Sequence, residues 1–304
     1  MKNLMKNVTS QFSGMVSKPK PAPPARAKRR GPSPADLALA KYSGDPAIVA
    51  AHVAWGGGRL WPADPGFEQR ACGSFHVGSD KIVGILGAAT GGPVVAMSAH
   101  LSCFVFGFDW RSAAEVPAQE FIKAAGAGDK TSVRTINLDT VFPLQRKCEG
   151  MIAVEPVLTR SQDHVLDWLR LAISGGGQVI LEEPSLEHQE QQVPKGQWFV
   201  DQENENCFWK TPAEREMALK LAGFSVQKVQ ETTGIALRTL RTAVASTDQA
   251  FAELSQATEL APILQPVTEF FKKEVDAAKN RLNALENGDV AVYRYTAIKH
   301  RVDG

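Results

Sequence analysis

Four cysteines in 304 residues, at Cys72, Cys103, Cys148 and Cys207, are too few and too scattered for a disulfide scaffold. They form neither a Cys-x-x-Cys pair nor a Cys/His cluster at zinc spacing. No metal is therefore expected, and the thiols read as reduced core residues of a cytosol-like compartment. No run of about 18 uninterrupted apolar residues occurs, which excludes a membrane-spanning helix. There is no internal repeat. Acidic residues are missing from 1–34, where eight Lys and Arg fall. The remainder, 35–304, holds 26 basic and 33 acidic residues, a net charge of −7 beneath the overall +1. A folded nucleic-acid binder presents a basic face, so no nucleic acid is expected on this body, and any polyanion contact is confined to the tail.

What is present suits an ordinary globular protein. With 43% hydrophobic and 22% charged residues the chain can bury a sizeable core, which excludes a wholly disordered or collagen-like protein, and its length fits one large α/β domain with additions. In the tail, Leu4, Met5, Val8, Phe12, Met15 and Val16 fall within an arc of roughly 120° on a helix. Such a basic amphipathic start suits an interfacial helix on anionic lipid or an organelle transit peptide, although an isolated helix this short also frays in water. Residues 18–34 are basic and Pro-rich, an extended linker. An anionic membrane surface or a protein partner bound by 1–34 is thus held away from the domain at 35–304.

Beyond residue 35, short β-branched runs alternate with longer amphipathic ones, the pattern of a parallel sheet covered by helices. Strands are expected at 81–86, 103–108, 132–137, 150–154, 178–182, 225–230 and 289–298. Helices are expected at 93–101, 112–125, 162–173 and 211–222, the last with Thr211 as N-cap and Pro212 at its first position. Residues 248–285 read as a helical insertion carrying Phe251, Leu254, Phe270, Phe271 and Val275.

The first strand runs into Gly87-Ala88-Ala89-Thr90-Gly91-Gly92-Pro93, a small-residue turn opening a helix. A turn of this kind lets backbone approach a ligand and presents unpaired helix N–H groups to an anionic group. Seventeen residues after Gly92 comes Asp109, at the tip of the next strand, where a βαβ nucleotide fold accepts hydrogen bonds from ribose hydroxyls.

In order and spacing these landmarks resemble the class I S-adenosylmethionine-dependent methyltransferases over most of 50–300. In that family the first strand ends in an acid followed by Gly-x-Gly-Thr-Gly-Gly or a close variant, and residues 87–92 stand in that place. The resemblance implies a Rossmann-like seven-stranded sheet with an antiparallel last strand, and S-adenosylmethionine as cofactor. It places cofactor contacts at Gly87, Ala88, Thr90, Gly91, Asp109, Trp110, Asp139 and Thr140. Asp109 would take the ribose, Trp110 would lie against the adenine, and Asp139 would meet the adenine amino group. Residues 174–181 resemble the family's Gly-rich turn into the fifth strand, and 221–224 the approach to the sixth. Upstream, 55–62 resembles the Trp-Gly segment that helps close the cofactor and substrate site in small-molecule methylating members. Two positions depart from the pattern. Ile85 stands where the family's acid organises the methionine end of the cofactor, and Ala89 replaces the second glycine of the turn.

Methyl transfer from a sulfonium is an in-line displacement, so positioning and exclusion of water supply much of the rate, and the family needs no universal catalytic residue. Glu155, at the tip of the fourth strand, is the candidate to orient or deprotonate an acceptor, a solvated loop acid being the alternative. His76, His100 and His164 are lone histidines, a type that is more often structural. The long connection 183–210, with Trp198, Phe199, Phe208 and Trp209, is either a functional lid or disordered. The insertion at 248–285 is a structural helix by default, otherwise a substrate cap or a partner interface. The leading reading is a cytoplasmic methyltransferase acting on a small or lipid-like molecule, peripheral to a membrane or imported through its tail in the two variants the tail allows. The alternative is a catalytically silent methyltransferase-fold protein serving as a binding or assembly subunit, which Ile85 and Ala89 favour. A nicotinamide-dependent dehydrogenase suits the acid at the second strand, but the turn departs from G-x-G-x-x-G.

Overall fold

The computed structural model describes residues 44–301 apart from Pro65, Asp139, 141–143, 155–160, Lys195, Phe199 and 201–206. The tail expected at 1–34 and the candidates Asp139 and Glu155 lie outside the described residues. The chain enters through helix α1 (Pro46–Trp55), which is apolar on every side and buried from Ile48 to Trp55, as a helix lacking a polar face must be. Asp45 starts it, its carboxylate accepting from the Ala47 N–H at 2.8 Å with Pro46 in the first turn. A short helix α2 (Phe67–Cys72) leads to β1 (Ile82–Leu86), whose five residues are all buried because helices cover both faces of the sheet.

From there the chain runs α3 (Gly92–Ser98), β2 (Phe104–Asp109), α4 (Glu115–Ala124), β3 (Thr131–Thr135), β4 (Cys148–Val154), α5 (Gln162–Ala172) and β5 (Ile173–Ser185). It closes with α6 (Pro212–Leu221), β6 (Phe224–Glu231), α7 (Thr233–Ala245), α8 (Thr247–Gln256), α9 (Leu264–Asn287) and β7 (Ala291–Lys299). At α6 the expected cap is complete: Thr211 and Glu214 exchange side-chain and backbone hydrogen bonds in a capping box. The seven strands form one sheet in the order β3-β2-β1-β4-β5-β7-β6, with β7 antiparallel to both neighbours. This is the Rossmann-like sheet with an antiparallel last strand that the family resemblance implies.

One sheet face packs on α2, α3 and α4 through Val83, Ile85, Met97 and Ile122, the other on α5 and α6 through Leu166, Trp168, Leu219 and Tyr295. A further apolar cluster joins α1 to α7, α8 and α9. Leu86 lies opposite both Phe108 and Ala153, so Gly87, Asp109 and Val154 leave the sheet together at its carboxyl end. The strand order reverses beside β1, the place where open α/β sheets hold ligands.

The structure differs from expectation at three places. Residues 174–177 are not a turn ahead of the fifth strand. They lie within β5, where pairing shifts from Cys148 opposite Ile173 to Gly150 opposite Gln178 and the extra glycine-rich residues are absorbed as an irregularity. Helical structure before the last strand begins at Thr233, ahead of the segment expected at 248–285; the periodic residues Leu240 and Ala243 bury α7, and nothing breaks the chain before Ser246. Finally, α1 was not anticipated, although Asp45-Pro46 ahead of an apolar run is a helix-start signal.

Candidate functional site

The small-residue turn after β1 is held almost wholly by its own protein. The N–H groups of Gly87 and Ala88 donate to the Phe108 carbonyl at 2.8 and 3.2 Å, and that of Gly91 donates to Ala88 O. Gly92 N–H, the first of α3, donates to Gly58 O at 2.9 Å. This narrows the expectation that the turn offers unpaired N–H groups: the 56–58 segment lies against it and takes the first helix-terminal donor. The approach is so close that a Cβ on Gly92 would fall 1.9 Å from Gly57 O. Ala89, in place of the second glycine, adopts φ +53°, a left-handed conformation costly for a residue with a side chain. Thr90 is buried beside it, its Oγ1 2.9 Å from Nδ1 of His52 on α1, a buried histidine that periodicity alone did not single out.

Asp109 ends β2 as expected and is buried, but its carboxylate is already engaged. Oδ2 accepts from the Ala89 N–H at 2.8 Å and from Arg111 Nη2 at 2.8 Å, while Oδ1 accepts from the Arg111 backbone N–H at 3.0 Å and its Nε at 2.8 Å. An ionised carboxylate offers about four acceptor sites, so these donors fill it. The guanidinium carbon of Arg111 stands 4.8 Å from the centre of the Trp110 ring and 5.4 Å from that of Trp61, a cation–π contact with each. Trp110 therefore faces Arg111 at the place where the family resemblance puts an adenine. The Trp61 and Trp110 indoles both reach toward Gly87, their outer carbons 3.5 and 3.7 Å from where its Cβ would stand.

Between α1, α9 and these side chains lies a cavity of about 390 Å³, within the range of small-molecule sites. Trp55, Trp61, Trp110 and Trp198, four of the six tryptophans, wall it together with Phe270. Its polar groups include Glu274, which accepts from Trp55 Nε1 at 3.0 Å, and Arg281, which donates to Trp198 O at 2.8 Å. A smaller cavity of about 70 Å³ reaches Ile85, Arg59, Glu68 and Glu182, and Trp61, Val154 and Trp198 wall both. Arg59 and Glu68 form a buried double-contact ion pair at 2.7 and 2.8 Å. Glu182 accepts both Nε and Nη2 of Arg294, its cross-strand neighbour, at 2.8 and 2.6 Å.

The structure thus brings Gly87, Ala88, Thr90, Gly91, Asp109 and Trp110 to one end of the sheet. Thr140 is exposed, and His76, His100 and His164 are exposed as well, none of them lining either cavity. Trp198, expected on a lid-like connection, is buried and packs edge-on against Trp209. His52 and Arg111 are the residues that sequence reasoning missed, whereas Trp61 lies in the Trp-Gly segment at 55–62 that it singled out. Among the described residues no three His, Cys, Asp or Glu converge to hold a metal, and no helix is long and apolar enough to cross a membrane.

No family model and no curated protein matches the sequence. Solved structures match the fold. The [4+2]-cyclase SpnF aligns with a TM-score of 0.65 at 12% identity, over 89% of this chain and 99% of that one. Phosphoethanolamine N-methyltransferase 2 of Haemonchus contortus, in complex with phosphomonomethylethanolamine and S-adenosylhomocysteine, aligns at 0.64 and 15%, over 84% of this chain and 57% of that one. Geranyl diphosphate C-methyltransferase of Streptomyces coelicolor, in complex with Mg2+, geranyl diphosphate and S-adenosylhomocysteine, aligns at 0.58 and 15%, over 77% and 78%. At such identities the likeness establishes the methyltransferase fold. The residues present do not fit S-adenosylmethionine in this arrangement: the carboxylate for its ribose is filled, Arg111 lies against Trp110, and aliphatic Ile85 faces the small cavity.

Proposed function

We propose that this chain uses the methyltransferase fold to hold a small or lipid-like molecule in its tryptophan-walled cavity, as a binding protein that transfers no methyl group in this arrangement. The observation that carries the reading is the carboxylate of Asp109, whose acceptor sites are taken by Ala89 and Arg111 of the same chain. The ligand class follows from the walls: mostly apolar and aromatic surface, with Asp45, Arg111, Glu274 and Arg281 as the charged groups that could orient a headgroup. Structural neighbours that bind geranyl diphosphate or phosphomonomethylethanolamine support a small-molecule occupant.

A second reading, S-adenosylmethionine-dependent methyl transfer to the same kind of molecule, is favoured by Asp109 and Trp110 standing at the tip of β2. Calorimetric titration of the full chain with S-adenosylmethionine and S-adenosylhomocysteine separates the two. The binding reading expects no heat and no thermal shift at millimolar cofactor. Micromolar binding that Asp109→Ala abolishes would overturn it and establish the second. Quenching of tryptophan emission by geranyl diphosphate or a short-chain lipid tests the cavity independently of the cofactor.

A further inference from the structure

We infer that Arg111 is a specificity-determining residue: it imitates a bound nucleoside, and by holding Asp109 while lying against Trp61 and Trp110 it excludes hydroxyl-bearing nucleosides from the carboxyl end of β2. This rests on the reading that the cofactor position is closed, and adds which residue closes it.

Three observations converge. First, Arg111 makes three of the four hydrogen bonds on the Asp109 carboxylate, two of them through the parallel Nε and Nη2 donors of its guanidinium. A vicinal diol would present its two O–H donors to the same pair of oxygens, so diol and guanidinium compete for identical acceptors. Second, the guanidinium is planar and delocalised, and it lies within 4.8 and 5.4 Å of two indole rings, aromatic surface on which a flat heterocycle stacks. Third, Arg111, Trp110 and Trp61 all wall the larger cavity, so the plug stands on the surface that an occupant of the crevice would meet. The side chain of Arg111 remains about one quarter exposed, against 1% for Asp109, so the plug can leave while its anchor stays buried.

Removing the guanidinium frees two acceptors and uncovers the two indole rings it touches. Arg111→Ala in the full chain should therefore bind adenosine and S-adenosylhomocysteine at least about tenfold more tightly than the native protein. The readout is thermal shift and quenching of tryptophan emission. The discriminating ligand is 2′,3′-dideoxyadenosine, which lacks both hydroxyls and should gain much less from the substitution. Arg111→Gln, which can still give Asp109 one hydrogen bond, keeps the test usable should the alanine variant fail to fold; it should fall between the two.

If neither the native protein nor the folded variants bind adenosine, the assignment to Arg111 fails while the closed-site reading stands. If the native protein binds as tightly as the variants, both fail. Tight native binding that rises a further tenfold in Arg111→Ala would overturn the closed-site reading and leave Arg111 as the residue that sets nucleoside affinity. An equal gain for adenosine and the dideoxy compound would overturn competition for Asp109.

Discussion

Replacing Gly92 by alanine tests whether the 56–58 segment is pinned on the turn that the site is built around. The added Cβ would fall 1.9 Å from Gly57 O and 2.9 Å from the carbonyl carbon and oxygen of Gly58, all backbone atoms that no rotamer change can move aside. Gly92 opens a helix, so alanine suits its conformation and even gains about 1 kcal/mol of intrinsic preference over glycine. Against that stand overpacking, about 1–3 kcal/mol, and loss of the buried 2.9 Å hydrogen bond to Gly58 O, about 1 kcal/mol. The net cost is about 1–3 kcal/mol, which in a unit of this size lowers Tm by about 2–12 °C. Urea unfolding at 25 °C, followed by circular dichroism and tryptophan emission, measures it. Gly128→Ala, where the new methyl meets nothing within 4 Å, is the control and should stay within about 0.5 kcal/mol of the native protein. Because Trp55 and Trp61 flank the displaced segment, emission of the folded variant should also change. A Gly92→Ala protein with native stability and native emission would refute the contact.

Three further outcomes follow from the same packing. Ala89→Gly removes left-handed strain worth about 1–2 kcal/mol but loses a fully buried methyl and adds unfolded-state freedom, so denaturant midpoints should shift by less than about 1 kcal/mol in stability; a loss above about 2 would show that no strain is stored there. Glu68→Gln leaves the Arg59 guanidinium, 10% exposed, without its counter-charge and should cost about 3–5 kcal/mol, most of which the paired change Arg59→Met with Glu68→Leu recovers; an unchanged urea midpoint for the single variant would contradict burial of the pair. Burial pushes the Cys148 thiol from 9.0 up to about 12 and the Tyr295 hydroxyl from 10.0 up to about 12, so the folded chain keeps protons that the unfolded chain releases. Stability should accordingly fall as pH rises from about 9 toward 12, and Cys148→Ala should flatten the fall in urea melts at pH 8, 9.5 and 10.5.

Most of the sheet was legible because its signals are local. Ile82–Leu86 and residues 150–154 are apolar without alternation, which marks strands buried on both faces, and Thr211-Pro212 with Glu214 spells a helix start in four residues. The misplacements have equally local causes. Gly175, Gly176 and Gly177 look like a turn in one dimension, yet the pairing of β5 with β4 absorbs them as an irregularity, an outcome set by a partner strand and not by the run itself. Helix α1 carries no amphipathic period because both its sides are covered, so the usual stripe is missing where burial is greatest.

The candidate site shows the sharper limit. Asp109-Trp110-Arg111 announces an acid at a strand tip, but a tripeptide cannot show whether the arginine turns outward or folds back on the acid two residues before it. What makes the inward turn favourable comes from elsewhere in the chain. Ala89 donates the bond that orients Oδ2, and Trp61, fifty positions before Arg111, supplies the second aromatic contact of the guanidinium. Neither partner is recognisable as such without the fold, since Ala89 reads as a lost glycine and Trp61 as one residue of the Trp-Gly segment at 55–62. An alanine held at φ +53° keeps its N–H aimed at Asp109, and the carboxylate so oriented is the one that grips Arg111. Landmark residues in the right order therefore establish where a ligand would lie, whereas the groups that admit or exclude it are fixed by contacts between distant segments, and only those contacts distinguish an open cofactor crevice from one closed by the chain itself.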